Sequence, residues 1–440
     1  MAPLDLDALV DRSRLGRLQV TVLVLCGLAA LLDGFDTQAI GYTAPAIGAA
    51  LNLSPAALGP VFAAGTVGIT IGAFALGPLA DRVGRRMPLI GCVLWFAVFT
   101  LATPFVSSLP QLLVLRAMAG LGLGGAMPSF IALSAEYTPA RMRNTVVAGL
   151  YAAFPLGGFV GGLVSAVIIP SYGWQPLFII GGVAPLLLAG ALALLLPESV
   201  RFLVARNRNF AEIRRIGSAI AGQALPEGQR LVTGERIAGT SVGALFAGGL
   251  LGRTVLLWGA FFLIFMVLLT VGVWSTTLLR QAGIGTLISL LIVSSYYLGA
   301  VLGSVLVGRI MDRFEPYAVL GVGFALGAAC LAGFGQATAP GALTALLFGA
   351  GVLVAGASSG LIAVAASLYP TQARSTGIGW AMGAGRFGQI LGPLAIGMLV
   401  ASGWGPSGIF VAAAVPCVVA AAIVLVLRAT VAGRLRAWTA

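Results

Sequence analysis

Four charged residues stand where charge is expensive. Asp33, Asp36, Arg116 and Arg386 lie inside long apolar runs, whereas most other charges fall between such runs. A charge at the centre of a membrane-spanning helix costs at least about 2.5–3.5 kcal/mol, so these four are the first candidates for chemistry. Asp33 and Asp36 are spaced i, i+3 and share one helix face. Two carboxylates on one face in a low dielectric resist ionising together. The pair therefore reads as a site that takes up and releases a proton. Arg116 would bias that site through its charge, and its departure on protonation would couple the proton to a second solute. Arg386 stays protonated and offers a planar fork matched to a carboxylate, so it reads as the anchor for an anionic substrate. At 1.5 Å per residue, Asp33 and Asp36 sit about 22 and 27 Å along their run, Arg116 about 10 Å along an oppositely directed one, and Arg386 about 16 Å along its own. Those depths overlap. Gly34, and Gly385 and Gly388 around Arg386, would let backbone or ligand come close.

The elements that must hold these groups follow from composition. The chain has 440 residues, 59% hydrophobic and 9% charged, too apolar to cover a water-soluble surface. A whole-chain reading as a cytosolic enzyme, a nucleic-acid binder or a disordered protein is excluded. The sequence contains no histidine, and Cys26, Cys92, Cys330 and Cys417 lack metal-type spacing. No metal site, cofactor or disulfide frame is expected. A spanning helix needs about 20 apolar residues. Twelve runs qualify: 18–41, 56–79, 87–106, 109–133, 144–168, 175–196, 253–279, 286–308, 317–337, 341–367, 375–401 and 405–428. The acidic Asp5, Asp7 and Asp11 are unlike a cleaved signal, so the first run is expected to be retained.

Every basic residue is arginine, and with the N-terminus inside, 22 of the 25 fall on inner segments. One, Arg280, falls outside, and Arg116 and Arg386 lie within spans. By the positive-inside rule both termini are cytoplasmic, and the net charge of +12 marks topology, not a nucleic-acid surface. The expected organisation is a cytoplasmic N-terminus (1–17), a six-helix bundle (18–196), a cytoplasmic linker beginning with a helix on the inner membrane face (197–252), a second six-helix bundle (253–428) and a cytoplasmic C-terminus (429–440). The bundles repeat. Gly77, Asp81, Arg82, Arg143 and Thr145 recur 231 residues later as Gly308, Asp312, Arg313, Arg374 and Thr376. A duplicated six-helix unit implies a midplane cavity opened alternately to each side.

The stretch GPLADRVGRR at 77–86 resembles the signature loop of the major facilitator superfamily, and LRAMAGLGLGG at 115–125 is similar to the arginine-glycine motif of its fourth helix. FPLGGFVGG at 154–162 looks like a degenerate fifth-helix motif. LLDGFDTQAIGYTAPAI at 31–47, PESVRFL at 197–203 and GIGWAMGAGRFGQILGP at 377–393 resemble the aromatic acid:proton symporters within that superfamily. The resemblance implies an all-α membrane fold of twelve helices in two pseudo-symmetric bundles, acting as a monomer in a bacterial inner membrane. It implies import of a benzoate, hydroxybenzoate, phenoxyacetate or related acid with protons, and no enzymatic activity. The alternatives are a proton-coupled exporter of drugs or organic ions and a transporter-like sensor.

An aromatic substrate needs a slot for its ring. Phe35, Tyr42, Tyr151, Phe154, Trp274, Tyr296, Tyr297 and Trp380 are candidates, with Tyr296, Tyr297 and Trp380 foremost as mid-span residues, and Gln38 could bond a ring substituent. Gly77, Asp81, Arg82, Gly84, Arg85 and Arg86, with Glu136, Arg143, Asp312 and Arg313, form the expected gates. The resemblance implies that this network latches the outward-open state.

Overall fold

The computed structural model describes residues 4–206, 209–226, 231–232, 242–247, 249–370 and 372–439, with side chains through 430. Arg208, Arg230 and Arg236 lie outside the described residues. A short helix α1 (Leu6–Arg12) precedes the first long one, α2 (Arg17–Ala50). Then come α3 (Leu58–Val83), α4 (Arg86–Ala102), α5 (Leu109–Glu136), α6 (Ala140–Tyr172) and α7 (Gln175–Leu195). Two short helices follow, α8 (Val200–Ala205) and α9 (Phe210–Ala221). The second series is α10 (Leu251–Gln281), α11 (Thr286–Met311), α12 (Pro316–Gln336), α13 (Pro340–Ala350), α14 (Ala357–Leu368), α15 (Arg374–Ala401) and α16 (Pro406–Thr439). A π-helical turn, Gly351–Gly356, fuses α13 and α14 into one span. The described residues thus contain twelve helices long and apolar enough to cross a membrane. In hydrocarbon, backbone groups must bond within their own segment, and long helices do that.

The helices of each half cross through glycines, and the two halves cross at equivalent places. A methyl group on Gly157 of α6 would sit 1.9 Å from the Leu31 carbonyl oxygen of α2. On Gly388 of α15 it would sit 2.0 Å from the Phe262 carbonyl oxygen of α10. Both members of the second pair lie 231 residues beyond those of the first. Gly120 against Gly65 (2.1 Å) and Gly351 against Tyr296 (2.1 Å) keep the same offset across α3–α5 and its counterpart. The repeat read from five residues near the ends of the spans is therefore a repeat of helix packing. Without a hydrophobic force between helices in lipid, such close backbone approach is what packing energy rests on.

The linker differs from a single helix lying on the membrane. It starts as two helices, α8 and α9, and the apolar face of α9 (Ile213, Ile216, Ile220) is buried in one cluster with Leu6 and Val10 of α1 and Leu133 of α5. Protein, not lipid, covers that face. At the other terminus, α16 runs on to Thr439, past the boundary expected at 428.

Candidate functional site

Asp36 sits in the centre of α2 with no exposed surface, and its carboxylate is fully committed. Arg116 of α5 donates to both oxygens, Nη2 at 2.8 Å from Oδ2 and Nη1 at 3.4 Å from Oδ1. The same Nη2 lies 3.3 Å from the Asp36 carbonyl oxygen. Thr100 Oγ1 of α4 donates to Oδ1 at 2.8 Å. Arg116 stacks its guanidinium 5.7 Å from the Phe178 ring of α7. Four helices of the first half thus converge on one ion pair sealed from solvent.

Asp33 has different company. Thr37, one turn further along α2, donates to Asp33 Oδ1 at 3.3 Å. Arg386 of α15 is its principal charged neighbour, and Tyr151 of α6 also lies in the field of Arg386. The guanidinium of Arg386 donates to Gln389 Oε1 at 3.1 Å and approaches Met127 Sδ of α5 at 3.3 Å. Among the described residues no carboxylate lies within 4.0 Å of Arg386, in contrast to Arg116. The i, i+3 spacing put the aspartates on one face. The structure divides them, turning Asp36 into the first half and Asp33 toward the second.

The glycines around these charges make room for close packing against neighbouring helices. A methyl group on Gly34 would lie 1.9 Å from the Phe154 carbonyl oxygen, and one on Gly385 would lie 2.9 Å from the Phe265 ring. The DGFD stretch is thus both a pair of carboxylates and the crossing point of α2 and α6.

The aromatic candidates fall into three settings. Tyr42, Tyr296, Tyr297 and Trp274 are buried where the halves meet. Tyr297 donates to Gln38 Oε1 across that seam, Tyr42 donates to the Gly158 carbonyl oxygen at 2.7 Å, and the Tyr42 and Tyr297 rings meet edge to face at 6.3 Å. Tyr296 meets Tyr297 at 5.2 Å. Trp274 packs on Phe62 at 5.3 Å and donates to the Pro393 carbonyl oxygen at 3.2 Å. Phe35 is a core residue of the first half, wedged against Gly161 and Gly181. Phe154 and Tyr151 are half-buried on α6, and Tyr151 lies in the field of Arg386. Trp380 differs from the mid-span placement expected of it. It lies in the second turn of α15, 44% exposed, stacked on Trp258 at 5.8 Å.

At the arginine-rich end, Arg85 pairs with Glu136 and, at 3.2 Å, with Asp81. Glu198 Oε1 accepts from the backbone N–H groups of Arg85 (2.8 Å), Arg86 (3.1 Å) and Ser199 (2.8 Å), a carboxylate seated on the N-terminus of α4. Gly84 has φ +106°, and a side chain there would strike Glu198 Oε2 at 2.5 Å. Arg86 donates to the Ala193 carbonyl oxygen at 2.6 Å and Arg143 to that of Ala135 at 3.2 Å. Burial, and then the carboxylates of Glu136 and Glu198, push the Tyr137 phenol up. It stays neutral and donates to the Glu198 carbonyl oxygen at 2.7 Å. These bonds tie the signature loop to the 197–203 segment within the first half. Arg82, Asp312 and Arg313 are exposed at the helix ends. The spacing had singled out Arg85 and Glu136 but not Glu198, which sits in another motif. Thr100, Thr37, Gln389 and Met127 were missed too; Thr37, at i+4 from Asp33, and Gln389, at i+3 from Arg386, carried a signal in the sequence.

At the opposite end the halves meet in tight contacts at glycines. A methyl group on Gly41 of α2 would lie 2.8 Å from Val273 Cα of α10. On Gly59 of α3 it would lie 3.0 Å from the Pro393 carbonyl oxygen of α15, and on Gly162 of α6, 2.0 Å from Ser294 Oγ of α11. The seam is closed there. Beyond it lies a surface hollow of about 460 Å³ lined by Pro45, Asn52, Thr277 and Arg280.

The family model for the Major Facilitator Superfamily matches residues 26–293 and 257–437. The chain is 40% identical over 427 residues to a 4-hydroxybenzoate transporter of Pseudomonas putida, covering 96% of this chain and 95% of that one. It is 37% identical to a gallate transporter of Pseudomonas putida, with the same coverage. In fold it is similar to a D-xylose-proton symporter, with TM-score 0.70 at 19% identity over 92% of this chain and 97% of the other.

Proposed function

The chain belongs to the Major Facilitator Superfamily, within its aromatic acid:proton symporter group, and we propose that it imports an aromatic carboxylate together with protons. The observation that carries this reading is Arg386. It is a guanidinium in the middle of the spans, held by neutral Gln389 and Met127, with its fork uncommitted to any described carboxylate. A bidentate carboxylate completes it. The named relatives carry 4-hydroxybenzoate and gallate, acids of that kind.

Coupling follows from the pairing. While Asp33 is ionised it neutralises the field of Arg386. Once it is protonated, that field is free for the substrate carboxylate. Loading a proton therefore favours loading the anion, and losing it favours release. Asp36 and Arg116 hold the first half together beside that switch. Tyr151, which lies in the field of Arg386, and Phe154 on the same helix are our candidates for the ring slot. The arginine-rich end is the cytoplasmic one, with both termini inside the inner membrane. The Arg85–Glu136–Glu198 network keeps the first half rigid as the halves rock.

The test is binding of benzoate, 4-hydroxybenzoate, gallate and phenoxyacetate to purified protein, with and without Arg386→Ala. A charge-assisted hydrogen bond contributes about 1.5–3 kcal/mol, so the variant should bind its best acid about 10- to 150-fold more weakly. Equal affinities in the two proteins would remove Arg386 from the site.

A further inference from the structure

A cavity of about 20 Å³ lies beside the sealed ion pair, lined by Thr37 and Ile40 of α2, Phe62 and Thr66 of α3, Arg116 of α5 and Val273 of α10. It therefore sits where the first half meets the second. That space suffices for one water, which also needs two to four polar partners. The partners are at hand. The Nε of Arg116 is buried without a hydrogen-bond partner, although both Nη groups are engaged by Asp36. Thr37 Oγ1 donates to Asp33 and keeps lone pairs to accept with. Thr66 Oγ1 spends its proton on the Phe62 carbonyl oxygen at 3.4 Å and likewise can accept.

We propose that this cavity binds one ordered water that accepts from Arg116 Nε and donates to Thr37 and Thr66, and that Thr37 thereby links the Asp36–Arg116 pair to Asp33. The inference rests on the reading of Asp33 as the proton-carrying group. An arginine Nε can only donate, so the polarity of the chain is fixed at its buried end. Arg116 donates to the water, the water to Thr37, and Thr37 to Asp33. Every link favours the ionised carboxylate at the far end. Thr37 is a positioning residue: it acts on the proton site through a hydrogen bond and need not touch substrate. The groups around this chain are Arg386 of α15 facing Asp33, Tyr151 of α6 facing Arg386, Asp36 on the same helix, and Arg116 and Thr100 facing Asp36 from α5 and α4. None of them replaces the Thr37 hydroxyl when it is removed.

The experiment compares Thr37→Val and Thr37→Ser with the unaltered full-length chain in liposomes, reading proton-driven uptake of 4-hydroxybenzoate against pH. Valine keeps the volume and removes the hydroxyl. The chain is then cut, Asp33 loses a donor to its charged form, and the alkaline limb of the profile should move to higher pH by about half a unit or more, roughly three-fold in proton affinity. Serine should restore the original profile. A Thr37→Val profile that coincides with that of the unaltered protein overturns the proposal, as does a Thr37→Ser profile displaced as far as valine's. Unaltered protein whose uptake ignores a proton gradient would instead refute the proton-coupled reading, and the inference with it. Infrared spectra of detergent-purified protein supply a measurement independent of transport. The carboxyl C=O band lost in Asp33→Asn should shift in Thr37→Val and stay in Thr37→Ser. A band that valine leaves in place sinks the linkage.

Discussion

Removing one member of the Asp36–Arg116 pair strands a charge where no water can receive it. Breaking a buried pair on one side costs about 3–5 kcal/mol, whereas replacing both members by apolar groups is often neutral. Asp36→Leu or Arg116→Leu alone should therefore give little folded protein, and the double replacement should recover it, as read by yield and melting in detergent. A double variant as poorly folded as either single one would contradict this. Asp33 faces the opposite test. Its carboxyl has Thr37 and the field of Arg386 but no salt bridge among the described residues, so Asp33→Asn should fold normally. It should also lose accumulation driven by a proton gradient while keeping substrate exchange between the two sides. Retained accumulation would take the proton role from Asp33. The four charges themselves were legible in the sequence because charge at that depth stands out against apolar neighbours. That Arg116 would serve an aspartate was legible too, but not that it pairs with Asp36 alone and leaves Asp33 to Arg386. Each residue turns a helix by about 100°, so Asp33 and Asp36 stay near one face, yet the small angle between them is enough to aim them at different helices.

The close crossings of helices set the next scale. Gly149 and Gly157 both lie in α6, but a methyl group on the first meets nothing within 4 Å, whereas on the second it lies 1.9 Å from a backbone oxygen of α2. Gly379 and Gly388 repeat that contrast in α15. Alanine at 149 or 379 should leave the melting temperature unchanged or raise it, since glycine costs a helix roughly 0.5–1 kcal/mol relative to alanine. Alanine at 157 or 388 should lower it sharply, and by similar amounts in the two halves, because the crossings are equivalent. Unequal losses would mean that the halves are not packed alike. That glycines matter was readable from the 62 in the chain. Which of them face another backbone depends on helix rotation, and the sequence period alone is too coarse to fix it. The linker shows the same limit: an amphipathic pattern announces an apolar face on α9 but not whether lipid or α1 covers it.

At the scale of the whole molecule, each half is laced by its own glycine crossings, so alternating access would rock the halves as bodies about the seam between them. Two states of one sequence must lie within a few kcal/mol of each other, and for that reason the sequence disclosed the duplicated halves but not which end is shut. The structure is shut at the arginine-poor end by Gly41 against Val273, Gly162 against Ser294 and the Tyr297–Gln38 hydrogen bond. None of these contacts lies within a half, so enlarging them should disfavour closure without unfolding either half. Gly41→Val places a branched side chain 2.8 Å from the Val273 backbone, and the contact is relieved only if the halves part at that end. Each 1.4 kcal/mol of such bias moves the balance of states about ten-fold. Ser294 is buried at the closure, 1% exposed. A cysteine placed there should therefore react at least about ten-fold faster with a membrane-impermeant maleimide from the arginine-poor side in the Gly41→Val protein than without it. The melting temperature should stay within a few degrees, which separates opening from unfolding. Labelling that is equally slow in both proteins would mean that the closure at Gly41 is not the one that rocking must break.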